Sequence, residues 1–75
     1  MTTAFILVRT DTGFEHEVLD LLKKVDEVKE AHVVYGSYDI IVRVETDTVR
    51  DLKETVNHMT MLGGNIRSTI TMIVT

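Results

Sequence analysis

Seventy-five residues, 44% of them hydrophobic, make one small domain with apolar material for a single core. The absence of cysteine excludes disulfides and thiolate metal sites, and a net charge of −4 with scattered Lys and Arg excludes the basic stripe that grips nucleic acid. Nothing reaches the roughly 20 apolar residues of a membrane span, and MTTAFILVRT has no basic n-region, so the chain reads as soluble and cytoplasmic. A core of this size yields only about 3–5 kcal/mol, and small folds add a staple. His16, His32 and His58 stand at no metal-ligand spacing, which leaves self-association as the staple and predicts no cofactor.

Residues 4–9, AFILVR, read as a first strand. Thr12 with Glu15 fits a capping box, and Phe14, Val18, Leu21, Leu22 and Val25 then recur on one helical face. Residues 29–35 and 38–45 read as second and third strands. The Gly36-Ser37 pair between them matches a two-residue type II′ hairpin turn. Asp47 and Thr48 are capping candidates for a second helix, whose apolar face is Val49, Leu52, Val56 and Met59. Leu62-Gly63-Gly64-Asn65 is the stop signal, and NIRSTITMIVT closes the chain as a fourth strand. The order β-α-β-β-α-β predicts an α+β, ferredoxin-like fold, with a four-stranded antiparallel sheet and both helices on one face. No linker or repeat interrupts it, so residues 1–75 read as a single domain.

Strand alternation assigns each side chain a face. Ala4, Ile6, Val8, Ile40, Val42 and Val44 suit the helix side, and in the last strand Ile66, Ile70, Met72 and Val74 share a parity. That leaves Phe5, Leu7, Ile41 and Ile73 uncovered, an apolar patch that two copies would hide by packing sheet against sheet. The bland alternative is that single surface Leu and Ile residues are ordinary.

Catalytic patterns are missing, and the reading is of a non-enzyme. Ser37 and Ser68 lie in no nucleophile elbow, no Gly-rich phosphate loop occurs, and Asp20 with Lys23 and Lys24 is solvated helix pairing. What stands out is polar material in strands: Asp39 after the Gly36-Ser37 turn, and Thr69 and Thr71 in the last strand. A free amino acid wants an anionic acceptor for its ammonium and hydroxyl or amide donors for its carboxylate. Asp39 and the two threonines supply that chemistry, Gly36 permits close backbone approach, and Tyr35 and Tyr38 would wall the pocket. The bland alternative is a common turn followed by good strand residues.

In this order, AFILV, then VDEVKEAHVVYGSYDIIVRVET with its Val28-x-Glu30-Ala31 lead-in and Gly36-x-x-Asp39 turn, Leu52 and Val56, and Thr69-x-Thr71, resemble the effector-sensing (RAM) domain of the Lrp/AsnC regulators across essentially the whole chain. The resemblance implies dimers paired sheet to sheet, assembly into tetramers or octamers, and an amino acid bound near the Gly-x-x-Asp turn where dimers meet. It assigns the ligand's ammonium to Asp39, close backbone approach to Gly36, and its other polar end to Thr69 and Thr71. Full-length members carry an N-terminal DNA-binding helix-turn-helix, whereas this chain begins at the first strand. It therefore looks like a stand-alone form that co-assembles with full-length relatives. Members also commonly show Leu-Pro-Gly-Val where this chain has the longer Leu62-Gly63-Gly64-Asn65-Ile66. Three alternatives stay open: an ACT-like domain binding its amino acid at the Thr10-Asp11-Thr12-Gly13 loop, a ligand-free assembly module, and a dimeric α+β-barrel monooxygenase, which would need a polar cavity under the helices.

Overall fold

The computed structural model describes residues 1–75. It contains β1 (Thr2–Thr10), α1 (Glu15–Leu22), β2 (Val28–Val33), β3 (Ile40–Thr46), α2 (Val49–Thr60) and β4 (Ile66–Ile73). The strands form one antiparallel sheet in the order β2-β3-β1-β4. This is the expected ferredoxin-like arrangement, with both helices on one face.

Alternation along the central strands builds the core. Ala4, Ile6 and Val8 of β1 and Ile40, Val42 and Val44 of β3 are fully buried and meet Val18 and Leu22 of α1 and Leu52 and Met59 of α2. Each of these side chains other than Ala4 contributes roughly 1.5–3 kcal/mol on leaving water. The predicted stripes thus point inward at their centres. Their N-terminal ends do not: Phe14 and Val49 are exposed, while Val25 and Met59 at the C-terminal ends are buried.

The two helices begin differently from one another. Thr48, in extended conformation, caps α2, its Oγ1 accepting the Asp51 N–H at 3.1 Å, and Asp51 sets a carboxylate against the positive helix end. The expected capping box at Thr12 does not form. Gly13 follows it with φ +91°, which no right-handed helix admits, so α1 starts beyond Phe14. The Glu15 carboxylate instead accepts the Gly13 N–H at 3.3 Å. The stop after α2 falls where expected, with Gly63 and Gly64 both at positive φ.

The fourth strand departs from simple alternation. Its register runs Ala4↔Ile73, Ile6↔Thr71 and Val8↔Thr69, but Thr10 pairs with Ile66. One step in β1 thus spans two in β4, and Arg67 is the extra residue of a β-bulge. Ile66 does face the helices, as its partial burial against the core requires. Past the bulge the parity flips: Thr69, Thr71 and Ile73 lie on the helix side, while Ile70 and Met72 lie on the open side. This reverses the sequence-based assignment of those residues.

Replacing Thr48 by Ala should therefore cost about 1 kcal/mol. Replacing Thr12 by Ala should leave stability unchanged, and urea denaturation of the two variants distinguishes them.

Candidate functional site

The β2–β3 connection is longer than a two-residue turn. β2 ends at Val33 and β3 starts at Ile40, and the hairpin closes through the Val34 N–H donating to the Asp39 carbonyl at 2.8 Å. Tyr35, Gly36, Ser37 and Tyr38 form the loop between these two residues. Gly36 adopts φ +138°, and a Cβ there would meet nothing within 4 Å. Its glycine character serves the backbone conformation, and the space beside it is open. Tyr35 projects fully into solvent, whereas Tyr38 is half-buried.

Asp39 is tied to β1 twice. Its N–H donates to the Val8 carbonyl at 2.9 Å, and its Oδ2 accepts the Thr10 N–H at 2.8 Å, with the Thr10 hydroxyl at 3.4 Å. Where β3 turns away into the loop, the carboxylate replaces the strand carbonyl that Thr10 would otherwise meet. An aspartate at a strand end is thereby accounted for: it satisfies a backbone donor at the sheet margin. Every hydrogen bond to the carboxylate within the chain uses Oδ2, so Oδ1 keeps its acceptor capacity beside the open loop. Thr10, which fixes this geometry, enters the sequence reading only as the start of the Thr10–Gly13 loop of the ACT-like alternative, because its partnership with Asp39 carries no periodic signal.

Thr69 and Thr71 do not join that constellation within one chain. Thr69 pairs with Val8 on the far side of β1 from Asp39, about 10 Å away at ordinary strand spacing. Thr71 lines a groove of about 360 Å³ between α2 and β4, floored by Leu52 and flanked by Val49, Val56 and Ile73. Tyr35, Gly36, Tyr38 and Asp39 thus share a loop, and the two threonines sit at the opposite sheet edge.

A second groove, of about 450 Å³, opens at the other end of the sheet, between the α1–β2 and β3–α2 connections. Its lining is polar throughout and includes six carboxylates: Asp26, Glu27, Glu45, Asp47, Asp51 and Glu54. They do not cluster in a geometry suited to a metal ion.

The sheet face without helices carries Phe5, Leu7, Ile41, Ile70 and Met72, with Ile70 and Met72 44% and 47% exposed. Ile70 and Met72 take the place expected for Ile73, so the patch is larger than the sequence count. A charged row borders it. The Arg43 guanidinium reaches Glu30 at 2.7 Å and also pairs with Glu45, and His32 lies 3.7 Å from Glu30. The Arg43 hydrogen bond and charge hold the Glu30 carboxyl below its ordinary range, and Glu30 in turn raises Arg43. Because the Glu30 value is depressed on folding, the contribution of this pair is complete at neutral pH. It is lost as acid carries the pH down through the folded value.

A family model described as the Lrp/AsnC ligand-binding domain matches residues 3–75. The HTH-type transcriptional regulator FL11 of Pyrococcus furiosus is 34% identical over 73 residues, covering 95% of this chain and 46% of FL11. The chain thus spans about half the length of the curated relatives it matches. Among solved structures, the hypothetical protein PHS023 of Pyrococcus horikoshii superposes with a TM-score of 0.92 at 49% identity, covering 100% of this chain and 90% of that one. AsnC of E. coli superposes with a TM-score of 0.89 at 27% identity, covering 97% of this chain and 50% of AsnC.

Two outcomes test the local chemistry. Asp39→Ala should lose about 1–2 kcal/mol by orphaning the Thr10 N–H, whereas Asp39→Asn, which keeps an acceptor, should lose little. In an NMR pH titration, Glu30 should titrate below the usual glutamate range and move back toward it in Arg43→Gln, with the His32 contact still lowering it.

Proposed function

The chain belongs to the Lrp/AsnC ligand-binding domain family, and from that premise we propose that it senses an amino acid or related metabolite and regulates transcription through ligand-dependent self-association. The observation that carries the reading is the half-engaged Asp39 carboxylate. One oxygen is fixed by the Thr10 N–H, which holds the group in place, and the other is free beside an open loop. A pre-positioned carboxylate of that kind suits an ammonium, and a charge-assisted bond is among the stronger polar contacts a small site can make. A Neisseria meningitidis regulator, NMB0573, of the same fold at 16% identity and TM-score 0.84, has been solved as a complex with L-Met.

The uncovered patch supports self-association. Phe5, Leu7, Ile41, Ile70 and Met72 on one small sheet form a contiguous apolar surface, and a second copy packed face to face would remove it from water. Tyr35, Gly36, Tyr38 and Asp39 would line the ligand pocket from one subunit. Thr69 and Thr71, at the opposite sheet edge, would reach the same ligand only from another subunit, and a ligand held between subunits favours the larger assembly by its differential affinity. Full-length regulators of the same family, in the cytoplasm, are the partners this implies. The role is non-catalytic.

Calorimetry and light scattering with each standard amino acid test the proposal. One amino acid should bind and increase the assembled mass. Asp39→Asn should weaken that binding tenfold or more, which is about 1.4 kcal/mol, while folding normally. Binding and assembly unchanged in Asp39→Asn would sink the role given to the carboxylate. Indifference to every amino acid would sink the sensing reading.

A further inference from the structure

The groove of about 450 Å³ between the α1–β2 and β3–α2 connections concentrates the charge of the molecule. Among its six carboxylates only Glu45 meets a cation, Arg43 of the open face. Asp26, Glu27, Asp47, Asp51 and Glu54 form no ion pair. The one lysine of the lining, Lys29, turns its ammonium to the Asp26 carbonyl at 3.1 Å. Five carboxylates against one ammonium leave −4, which equals the net charge of the whole chain. Like charges gathered along one polar cleft raise the local concentration of cations.

A buried hydroxyl stands among these charges without a partner. Thr55 of α2 lines the groove and is only 9% exposed, yet its Oγ1 makes no hydrogen bond within the chain. Helical threonines often turn the hydroxyl back on their own backbone, as Thr60 does in donating to the Asn57 carbonyl at 2.8 Å. No polar side-chain atom of the chain is both sealed from solvent and unpaired, so the Thr55 Oγ1 keeps its small accessible surface, and the groove is the space it borders. Asp51, Glu54 and His58 flank it on the same helix wall, at one-turn spacing. From Asp51 to His58 that wall runs about 10 Å at the helical rise.

The form of the ligand follows from this spread. A metal ion needs several ligand atoms converging on one point, and no three of these groups do so. A cation whose charge is distributed along its length matches carboxylates distributed along a groove. No hydrophobic residue lines the cleft, so the body between the charges is slender. We propose that this groove is a second ligand site, for a linear aliphatic polyamine. Its ammonium groups pair with Asp26, Asp51 and Glu54, and one of them donates to the Thr55 hydroxyl oxygen. The site shares no residue with the Asp39 loop, and it stands whether or not that loop takes an amino acid.

Spermidine titrated into the full chain at low salt, followed by amide NMR, tests the assignment. Shifts should be confined to residues 26–29, 46–51 and 54–58. Thr55→Val, which keeps shape and charge, should weaken binding about tenfold with the circular dichroism unchanged. Glu54→Gln, at an exposed position, should weaken it about threefold and serves if Thr55→Val does not fold. Asp39→Asn should bind spermidine as the parent does, which separates this site from the amino-acid reading. Shifts spread over acidic residues elsewhere, such as Glu17 and Asp20, or parental affinity in both groove variants, would overturn the proposal in favour of unspecific ionic attraction. Tighter binding of tetralysine than of spermidine at the same residues would overturn the small-ligand reading and identify a peptide surface instead.

Discussion

A sheet has two faces, and this chain has helices for only one of them. Ala4, Ile6, Val8, Ile40, Val42 and Val44 are fully enclosed under α1 and α2, while Phe5, Leu7, Ile41, Ile70 and Met72 sit on the side that nothing in the chain covers. Both helices pack on the first of these faces. The remaining features arrange themselves around that shortage. The β2–β3 loop with Asp39 lies at one end of the sheet, the carboxylate-lined groove lies at the other, and the apolar surface between them stays uncovered within the chain.

Most of the fold was legible because helix and strand periods differ and each element here keeps its own. The αβ order, the covered face of β1 and β3 and the Thr48 cap all follow from local residue chemistry. Three features were not legible, and each has a definite cause. The β4 bulge at Arg67 inserts one residue, and since strand side chains alternate with period two, everything beyond it changes face. The extra length of the Leu62-to-Ile66 segment was visible, but not that a residue would be absorbed inside the strand. The capping box failed because Gly13 adopts a left-handed conformation, which a side-chain pattern does not encode. The β2–β3 turn lengthened because Asp39 is held by β1, through Val8 and Thr10, and a contact 29 residues distant has no local signature.

The same contact explains why the candidate site was half legible. The sequence pointed to Asp39 as an unusual charge in an apolar strand, and the structure gives that charge a first occupation at Thr10. The proposed ammonium-binding role would be compatible with that one because a carboxylate has two oxygens with several acceptor directions. They also strengthen one another. A side chain free to rotate would surrender rotamer entropy on binding, whereas Asp39 has largely surrendered it on folding. Rigidity at the sheet margin is thus a structural requirement that would double as preorganisation for the proposed ligand.

Thr69 and Thr71 carry the argument one step further. Once the bulge turns their side chains toward the groove beside α2, their backbone groups face off the sheet edge. The chain contains no proline, and it sets its edge charges on β2, leaving β4 as the strand on which pairing meets least resistance. The β4 bulge therefore sets both the face and the edge that Thr69 and Thr71 present, and one inserted residue decides which chemistry the last strand offers to its surroundings.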